Sequence, residues 1–187
     1  MKKKSFSRCF QALICLLFAL QYNAAYGVEV AEEAYPQIII PAPESAQAQK
    51  YLGLKEMEPF GLSQVDAKII IIEFFNALCP KCHANAPMLN KLYKVIQNDP
   101  VLRDVKVIGI AVDSDRSEVD AFRKNFKVPF PLFIDEDFAI SVAMGGVDTP
   151  TTMILATSNG RVLADHIGVI RDFEDLLKEL RTIHKKL

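Results

Sequence analysis

The spacing of apolar residues along the chain predicts strands that alternate with helices. Residues 69–75, Ile-Ile-Ile-Ile-Glu-Phe-Phe, are apolar at every position but one. Such a run is typical of a central strand covered on both faces. Apolar residues then recur at helical spacing from Cys79 to Ile96. A second strand is predicted at residues 105–112, and an amphipathic helix over residues 114–126.

The second half of the chain predicts a short strand, a helix, a hairpin and a closing helix. Pro129 and Pro131 bracket the short strand, which ends at Ile134. Ser, Asn and Gly at residues 158–160 provide the turn chemistry of a hairpin. The predicted bounds are 135–144 for the helix, 151–156 and 161–167 for the hairpin strands, and 171–186 for the closing helix.

Residues 28–45 differ from the rest because they are acidic and contain three prolines. We interpret them as a lead-in with an edge strand at residues 38–40, followed by a short helix over residues 44–52. The remaining residues, 46–187, are predicted to form one domain, because a chain of 187 residues, 50% of them hydrophobic, suffices for one core. The predicted fold class is α/β, with a central mixed sheet flanked by helices.

The first 27 residues predict an export signal. They contain four basic residues and no acidic one, then an apolar stretch from Cys9 to Leu20, and small residues before and at Gly27. We predict cleavage after Gly27, which would remove Cys9 and Cys15 and release the protein outside the cytoplasm. A retained membrane anchor is the alternative, although the apolar stretch is shorter than the roughly 20 residues that span a bilayer.

The charge of the chain excludes one class of partner. The whole chain has 22 basic and 23 acidic residues, a formal net charge of -1. Because four of the basic residues lie in residues 1–27, residues 28–187 have a more negative net charge than the whole chain. No basic cluster remains that could neutralise a run of phosphates, so we exclude nucleic acid as a partner.

Cys79 and Cys82 carry the chemistry that the sequence predicts. A disulfide oxidoreductase needs one thiol that ionises readily and a second that reaches the resulting mixed disulfide. With Pro80 in its first turn, the helix would place Cys79 at its N-terminus, where free N–H groups favour a thiolate, and Cys82 one turn later. The alternatives are a structural disulfide, half a zinc site and two inert thiols. Zinc usually needs four ligands, and we predict no metal and no cofactor.

Residues 70–82 resemble the strand and active-site turn of thioredoxins. Glu73 stands six residues before Cys79, where thioredoxins have a buried acid, and Pro87 stands eight residues after it, where their helix has a kink proline. Thr149 and Pro150 resemble the cis-proline loop that faces the cysteines. The resemblance implies a thioredoxin fold over residues 68–187.

A narrower resemblance lies between the cysteines and Pro150. That interval is longer than in plain thioredoxin and implies an extra strand and helix inserted before the cis-proline loop. Residues 107–113 and 128–131 resemble envelope thiol-disulfide oxidoreductases of the TlpA/ResA type. Two departures are Leu78, where the family has Trp, and the Pro-Lys pair between the cysteines.

The resemblance implies a role for each site residue. Cys79 is expected to be the nucleophile and Cys82 the resolving thiol, while Glu73 would exchange a proton with Cys82. A strand-end acid paired with a lysine is the alternative for Glu73. Thr149, placed by Pro150, would align the incoming chain, although an ordinary strand-entry proline is the alternative. The Lys81 charge would favour the thiolate, or serve solubility alone.

These observations predict an extracytoplasmic thiol-disulfide oxidoreductase that reduces disulfides in exported proteins. The resemblance implies a membrane thiol-disulfide donor as its electron source and apocytochrome c as one candidate substrate. Three alternatives remain open. They are a peroxiredoxin-like thiol peroxidase, although Asn76 stands where peroxiredoxins have Thr, a copper carrier using Cys79, Cys82 and His166, and an inactive adaptor on the same fold.

Overall fold

The computed structural model describes residues 37–187. The predicted signal at residues 1–27, with Cys9 and Cys15, and residues 28–36 of the lead-in lie outside the described residues. Within residues 37–187, no helix is both long and apolar enough to cross a membrane.

A five-stranded mixed sheet forms the centre of the protein. Its strands are β3 (Ile69–Phe75), β4 (Val105–Val112), β5 (Leu132–Asp135), β6 (Thr151–Ala156) and β7 (Val162–Ile167), in the spatial order β5-β4-β3-β6-β7. Strands β3, β4 and β5 run parallel, whereas β6 is antiparallel to both β3 and β7. All seven residues of β3 are buried, as its apolar sequence predicts. The hairpin predicted at the end of the sheet is confirmed.

Within residues 37–187, five α-helices flank the sheet: α1 (Ala46–Leu52), α2 (Pro80–Asn98), α3 (Arg116–Phe126), α4 (Ala139–Ala143) and α5 (Phe173–Lys186). Ile69, Ile71 and Phe75 of β3 face a core shared with α2, α3 and α5. Ile70, Ile72 and Phe74 face a second core shared with α1 and α4. The predicted α/β class, with a mixed sheet between helices, is therefore confirmed.

Two predicted elements differ in detail. Strand β1 (Ile39–Ile40) pairs with β2 (Phe60–Gly61) in a separate two-stranded sheet and does not extend the main one. The helix predicted over residues 135–144 is reduced to α4. The buried Asp135 ends β5, and its carboxylate accepts hydrogen bonds from the N–H groups of Ile140 and Ser141, so it caps the helix from outside.

Tyr51 of α1 closes an open edge of β4. Strand β5 pairs with β4 from Gly109 onward, so Val107 lies before that pairing begins. The Tyr51 hydroxyl accepts a hydrogen bond from Val107 N–H at 2.8 Å and donates to Val107 C=O at 3.4 Å. One side chain therefore satisfies both backbone groups, and burial raises the pKa of its phenol.

Replacing Tyr51 with phenylalanine is expected to lower the free energy of unfolding by about 2 kcal/mol, because Val107 loses both partners while the ring stays. Denaturant unfolding measures the change. The matched control is Tyr93→Phe, since the two rings pack with their centroids 5.7 Å apart. An equal loss in both variants would contradict the role of the Tyr51 hydroxyl.

Candidate active site

A four-residue turn between β3 and α2 carries Cys79 at the start of the helix. Cys79 is the N-cap residue of α2 and Pro80 is its first helical residue. The cap position leaves the first backbone N–H groups of the helix available to an anion. The structure thus has Pro80 where the sequence predicts it, in the first turn, and Pro87 inside the same helix.

The polar groups of this turn find partners inside the protein. Ala77 N–H donates to Ser114 Oγ at 2.9 Å, and Leu78 N–H donates to Asn76 Oδ1 at 2.9 Å. His83 Nε2 lies 2.7 Å from Ala77 O. Since a carbonyl can only accept, His83 donates this bond. These contacts fix the turn that presents Cys79.

Asn76 joins the end of β3 to the end of β4. Its side-chain amide donates to the carbonyls of Val112 at 3.2 Å and Asp113 at 2.8 Å. Its backbone N–H donates to Cys82 Sγ at 3.5 Å. Asn76 therefore holds the turn on one side and contacts the second thiol on the other.

The two thiols differ in exposure and in acidity. Cys79 is partly exposed and Cys82 is 1% exposed, and both are free thiols. Burial raises the pKa of Cys79, but hydrogen bonds from the backbone and thiol of Cys82 and from the backbone of Lys81 outweigh it, so the pKa lies below the ordinary value. Burial, the adjacent Cys79 thiol and the charge of Glu73 raise the pKa of Cys82 to about 12, despite the Asn76 N–H.

The loop before β6 faces the cysteines. The Thr149–Pro150 peptide bond is cis, and Cys79 Sγ lies 3.8 Å from Thr149 O. Gly168 N–H donates to Pro150 O at 2.7 Å, which joins this loop to the segment after β7. Residues 70 positions apart in sequence thus meet beside the exposed sulfur.

Glu73 is buried behind the cysteines and is 6% exposed. Its Oε1 accepts a hydrogen bond from Asn85 Nδ2 at 2.8 Å, and its Oε2 accepts one from Thr152 Oγ1. Burial raises the pKa of Glu73 to about 7, although both hydrogen bonds lower it. The partners of this carboxyl group are therefore an amide and a hydroxyl, and the alternative of a lysine partner is wrong.

A groove of about 740 Å³ opens beside the active-site turn. Asn76, Leu78 and Phe138 are among the residues that line it. Leu78 is 65% exposed although it is apolar, because its backbone is fixed by Asn76. The groove lies beside Leu78, the residue that precedes Cys79 in the sequence.

The family model that matches this sequence is the AhpC/TSA family, over residues 41–173. The chain belongs to the AhpC/TSA family. The matched range contains the whole site described above, from Glu73 to Pro150.

Proteins similar to this AhpC/TSA-family chain are thiol-disulfide oxidoreductases. The thiol-disulfide oxidoreductase ResA of Geobacillus thermodenitrificans is 25% identical over 183 residues, which cover 98% of this chain and 99% of that protein. Two solved structures share the fold. The thioredoxin domain of a Bacteroides vulgatus thiol-disulfide oxidoreductase has a TM-score of 0.59 and 15% identity, covering 81% of this chain and 95% of that one.

The second solved structure is a secreted disulfide oxidoreductase of Mycobacterium tuberculosis. It has a TM-score of 0.58 and 18% identity, and covers 78% of this chain and 96% of that one. With these likenesses, the expected thioredoxin fold is confirmed, and this AhpC/TSA-family member is a thioredoxin-like thiol-disulfide oxidoreductase.

Some residues of the site were not predicted from the sequence of this AhpC/TSA-family chain. Asn85 and Thr152 hold Glu73, and Asn76 and His83 hold the turn. The signal for Asn85 was a polar residue three positions after Cys82, on the same helix face. His83 packs on Phe126 with the ring centroids 4.8 Å apart.

Lys81 and His166 were also predicted to take part in the site, but their side chains make none of the contacts described above. Lys81 is exposed, and the contribution to the Cys79 pKa comes from its backbone. The effect of its side-chain charge stays a prediction. His166, a ligand in the copper-carrier alternative, contacts Glu179 at 2.6 Å. In residues 37–187 no three metal-ligating side chains converge.

Proposed function

We propose that Cys79 and Cys82 form the dithiol-disulfide couple of this oxidoreductase and that it reduces disulfides in exported proteins. The observation that carries the proposal is the contrast between the two sulfurs. Cys79 is accessible and acidic, and Cys82 is buried and holds its proton. One thiol is therefore suited to attack and the other to resolve.

In the first step the Cys79 thiolate attacks a disulfide sulfur of the substrate. A bond forms between Cys79 and that sulfur, the substrate disulfide breaks, and the second substrate sulfur leaves as a thiolate that takes a proton. The backbone N–H groups at the start of α2 stabilise the attacking anion. Thr149 O, 3.8 Å from Cys79 Sγ, offers a backbone acceptor to the substrate chain.

In the second step Cys82 attacks the sulfur of Cys79. The Cys79–Cys82 disulfide forms, the mixed disulfide breaks, and the substrate leaves with its second thiolate, which is then protonated. Because burial raises the pKa of the Cys82 thiol, Cys82 must lose its proton as it attacks. Glu73, with a pKa of about 7, accepts that proton when it is a carboxylate.

We infer the location and the partners from the predicted leader and from the names of the relatives. An export signal at residues 1–27 would deliver the protein outside the cytoplasm, where substrates with disulfides occur. It would associate with a membrane if the leader were retained. A membrane thiol-disulfide electron donor would regenerate the dithiol, and apocytochrome c is one candidate substrate.

A trapping experiment tests the couple. Cys82→Ala is expected to accumulate more mixed disulfide on Cys79 than the wild type with an oxidised peptide of the Cys-x-x-Cys-His type, because the resolving thiol of the protein is absent. Mass spectrometry identifies the linked cysteine. The matched variant Cys79→Ala is expected to form at least about tenfold less adduct.

Adducts that formed through Cys82 in the Cys79→Ala variant would reverse the assignment of the two roles. A wild-type protein that consumed peroxide rapidly and left the peptide disulfide intact would favour the thiol peroxidase instead.

A further inference from the structure

Asn85 is fully buried in α2, one turn after Cys82. Its Oδ1 accepts a hydrogen bond from Ile170 N–H at 3.0 Å, and its Nδ2 donates to Glu73 Oε1 at 2.8 Å. The backbone N–H of Ile170 can only donate, so the atom that faces it must be the amide oxygen. The amide nitrogen consequently faces Glu73, and the orientation of the side chain is fixed by chemistry.

This orientation makes the two oxygens of Glu73 unequal. An amide N–H donates and cannot accept, so an oxygen in contact with it cannot carry a proton directed toward it. The hydroxyl of Thr152, which contacts Oε2, can donate to a carboxylate or accept from a carboxylic acid. Both protonation states of Glu73 are therefore compatible with Thr152, whose hydroxyl can accept a hydrogen bond from a proton carried on Oε2.

We propose that Asn85 is a positioning residue for disulfide exchange, which keeps Oε1 of Glu73 as an acceptor so that Oε2 takes and returns the proton of Cys82. The inference rests on the proposed function, because it specifies how Glu73 serves the second step. The proton leaves Cys82 Sγ as the Cys79–Cys82 bond forms, resides on Oε2, and leaves again when the disulfide is reduced.

The same amide connects Glu73 to the segment that supports the substrate loop. Ile170 N–H binds Asn85, and two residues earlier Gly168 N–H binds Pro150 O at 2.7 Å. A hydrogen-bonded path thus runs from the loop beside Cys79 to the carboxyl group behind Cys82. Asn85 is the side chain that completes this path.

Few other titratable groups face Glu73 from the elements packed around it. On β4 its partner in the register is Gly109, and on β6 it is Thr152. Cys82 faces it from α2, and the charge of Glu73 raises the pKa of Cys82. One strand farther, His166 of β7 lies opposite Thr152 and is bound to Glu179 of α5.

The test measures how the rate of the resolving step depends on pH, in single turnovers from a preformed mixed disulfide on Cys79. In the wild type the rate is expected to rise with a midpoint near the pKa of Glu73, about 7. Asn85→Leu removes the donor to Oε1, which destabilises the carboxylate. Its midpoint is expected to move upward by about one pH unit.

Asn85→Asp separates the two contacts of the amide. An aspartate still accepts from Ile170 N–H but places a second carboxyl group against Oε1, so the two groups share a proton. The midpoint is expected to move upward by at least about one pH unit. If Asn85 served only to hold Ile170, this variant would keep the wild-type profile, and that result would overturn the proposal.

A double variant that exchanges the carboxyl group of residue 73 and the amide of residue 85 tests whether the pH dependence can be restored. Glu73→Gln alone is expected to abolish the pH-dependent limb. Glu73→Gln combined with Asn85→Asp restores one carboxyl group opposite one amide, and the limb is expected to return. A double variant that behaved like Glu73→Gln alone would contradict the assigned task of Asn85.

Asn90→Ala is the structural control on the same helix. Asn90 Nδ2 donates to Phe126 O at 2.8 Å, away from Glu73. This variant is expected to lose stability with an unmoved midpoint, whereas an equal shift in midpoint would assign the effect to the helix and overturn the proposal.

Titration of the ¹³C-labelled Glu73 carboxyl group in the reduced protein measures the midpoints without turnover. Wild-type protein with no exchange would refute the proposed function, whereas normal exchange with unshifted Asn85 variants would refute the inference on Asn85 alone.

Discussion

Cys79→Ser is expected to lower the rate of disulfide reduction at least about a thousandfold, because a hydroxyl cannot supply the thiolate that starts the exchange. The hydrogen bonds from Cys82 and the backbone of Lys81, which favour the Cys79 anion, would remain in place without a group to ionise. Reduction of a disulfide-linked fluorescent peptide, followed in the presence of excess dithiol, measures the change.

Cys82→Ser is the matched control for this variant, because it removes the other sulfur. Without added dithiol, the reduced Cys82→Ser protein is expected to retain the first chemical step and to release one equivalent of substrate thiol before stopping, because no second thiol resolves the mixed disulfide. Under the same conditions the reduced wild type is expected to release both substrate thiols. An active Cys79→Ser protein, or a Cys82→Ser protein with no initial release, would contradict the order of the two steps.

Glu73→Gln is expected to change the way in which stability depends on pH. The pKa of Glu73 is raised from 4.5 to about 7 in the folded protein. Between these values the folded state binds the proton that the unfolded state has lost, so wild-type stability falls as pH rises through this window. The loss is about 3 kcal/mol, from the size of the shift. Glutamine does not titrate, so the Glu73→Gln protein does not lose this stability as the pH rises.

The measurement is denaturant unfolding of the reduced proteins at pH 4.5 and pH 7.5. Relative to the wild type, Glu73→Gln is expected to gain about 3 kcal/mol between the two conditions. Glu174→Gln serves as the control, since that side chain is 79% exposed, and its difference from the wild type is expected to stay nearly constant. A Glu73→Gln difference that did not vary with pH would show that Glu73 ionises equally in both states.

The sequence predicts the features that depend on local pattern. The buried strand at residues 69–75, the helix that begins with Cys79 and Pro80, and the closing hairpin all follow from spacing and turn chemistry within short segments. The register between strands is what brings Glu73 to Thr152, 79 positions away in sequence. No local pattern encodes that distance, so the partners of Glu73 required the structure.

Two further differences have the same origin. Asn76 and His83 each stand in a segment whose polar residues could equally face water, and their contacts with Val112 and Ala77 depend on how β4 and α2 meet the turn. Strand β1 was predicted from its apolar residues, but its partner β2 comprises only Phe60 and Gly61. Strand β2 is too short to be recognised in the sequence, yet its pairing with β1 determines which sheet β1 joins.

The hydrogen bonds that hold residues 76–79 affect which disulfides can react with Cys79. Ser114, Asn76 and His83 immobilise this turn during folding, so Leu78 and Cys79 are held in place before any encounter. Association then costs the enzyme little conformational entropy, and most of the ordering falls on the incoming chain. Disulfides in mobile, unfolded segments can adapt to a preset surface, whereas those locked inside a finished domain cannot. We therefore expect disulfides in unfolded segments to react faster with Cys79 than disulfides inside a folded domain.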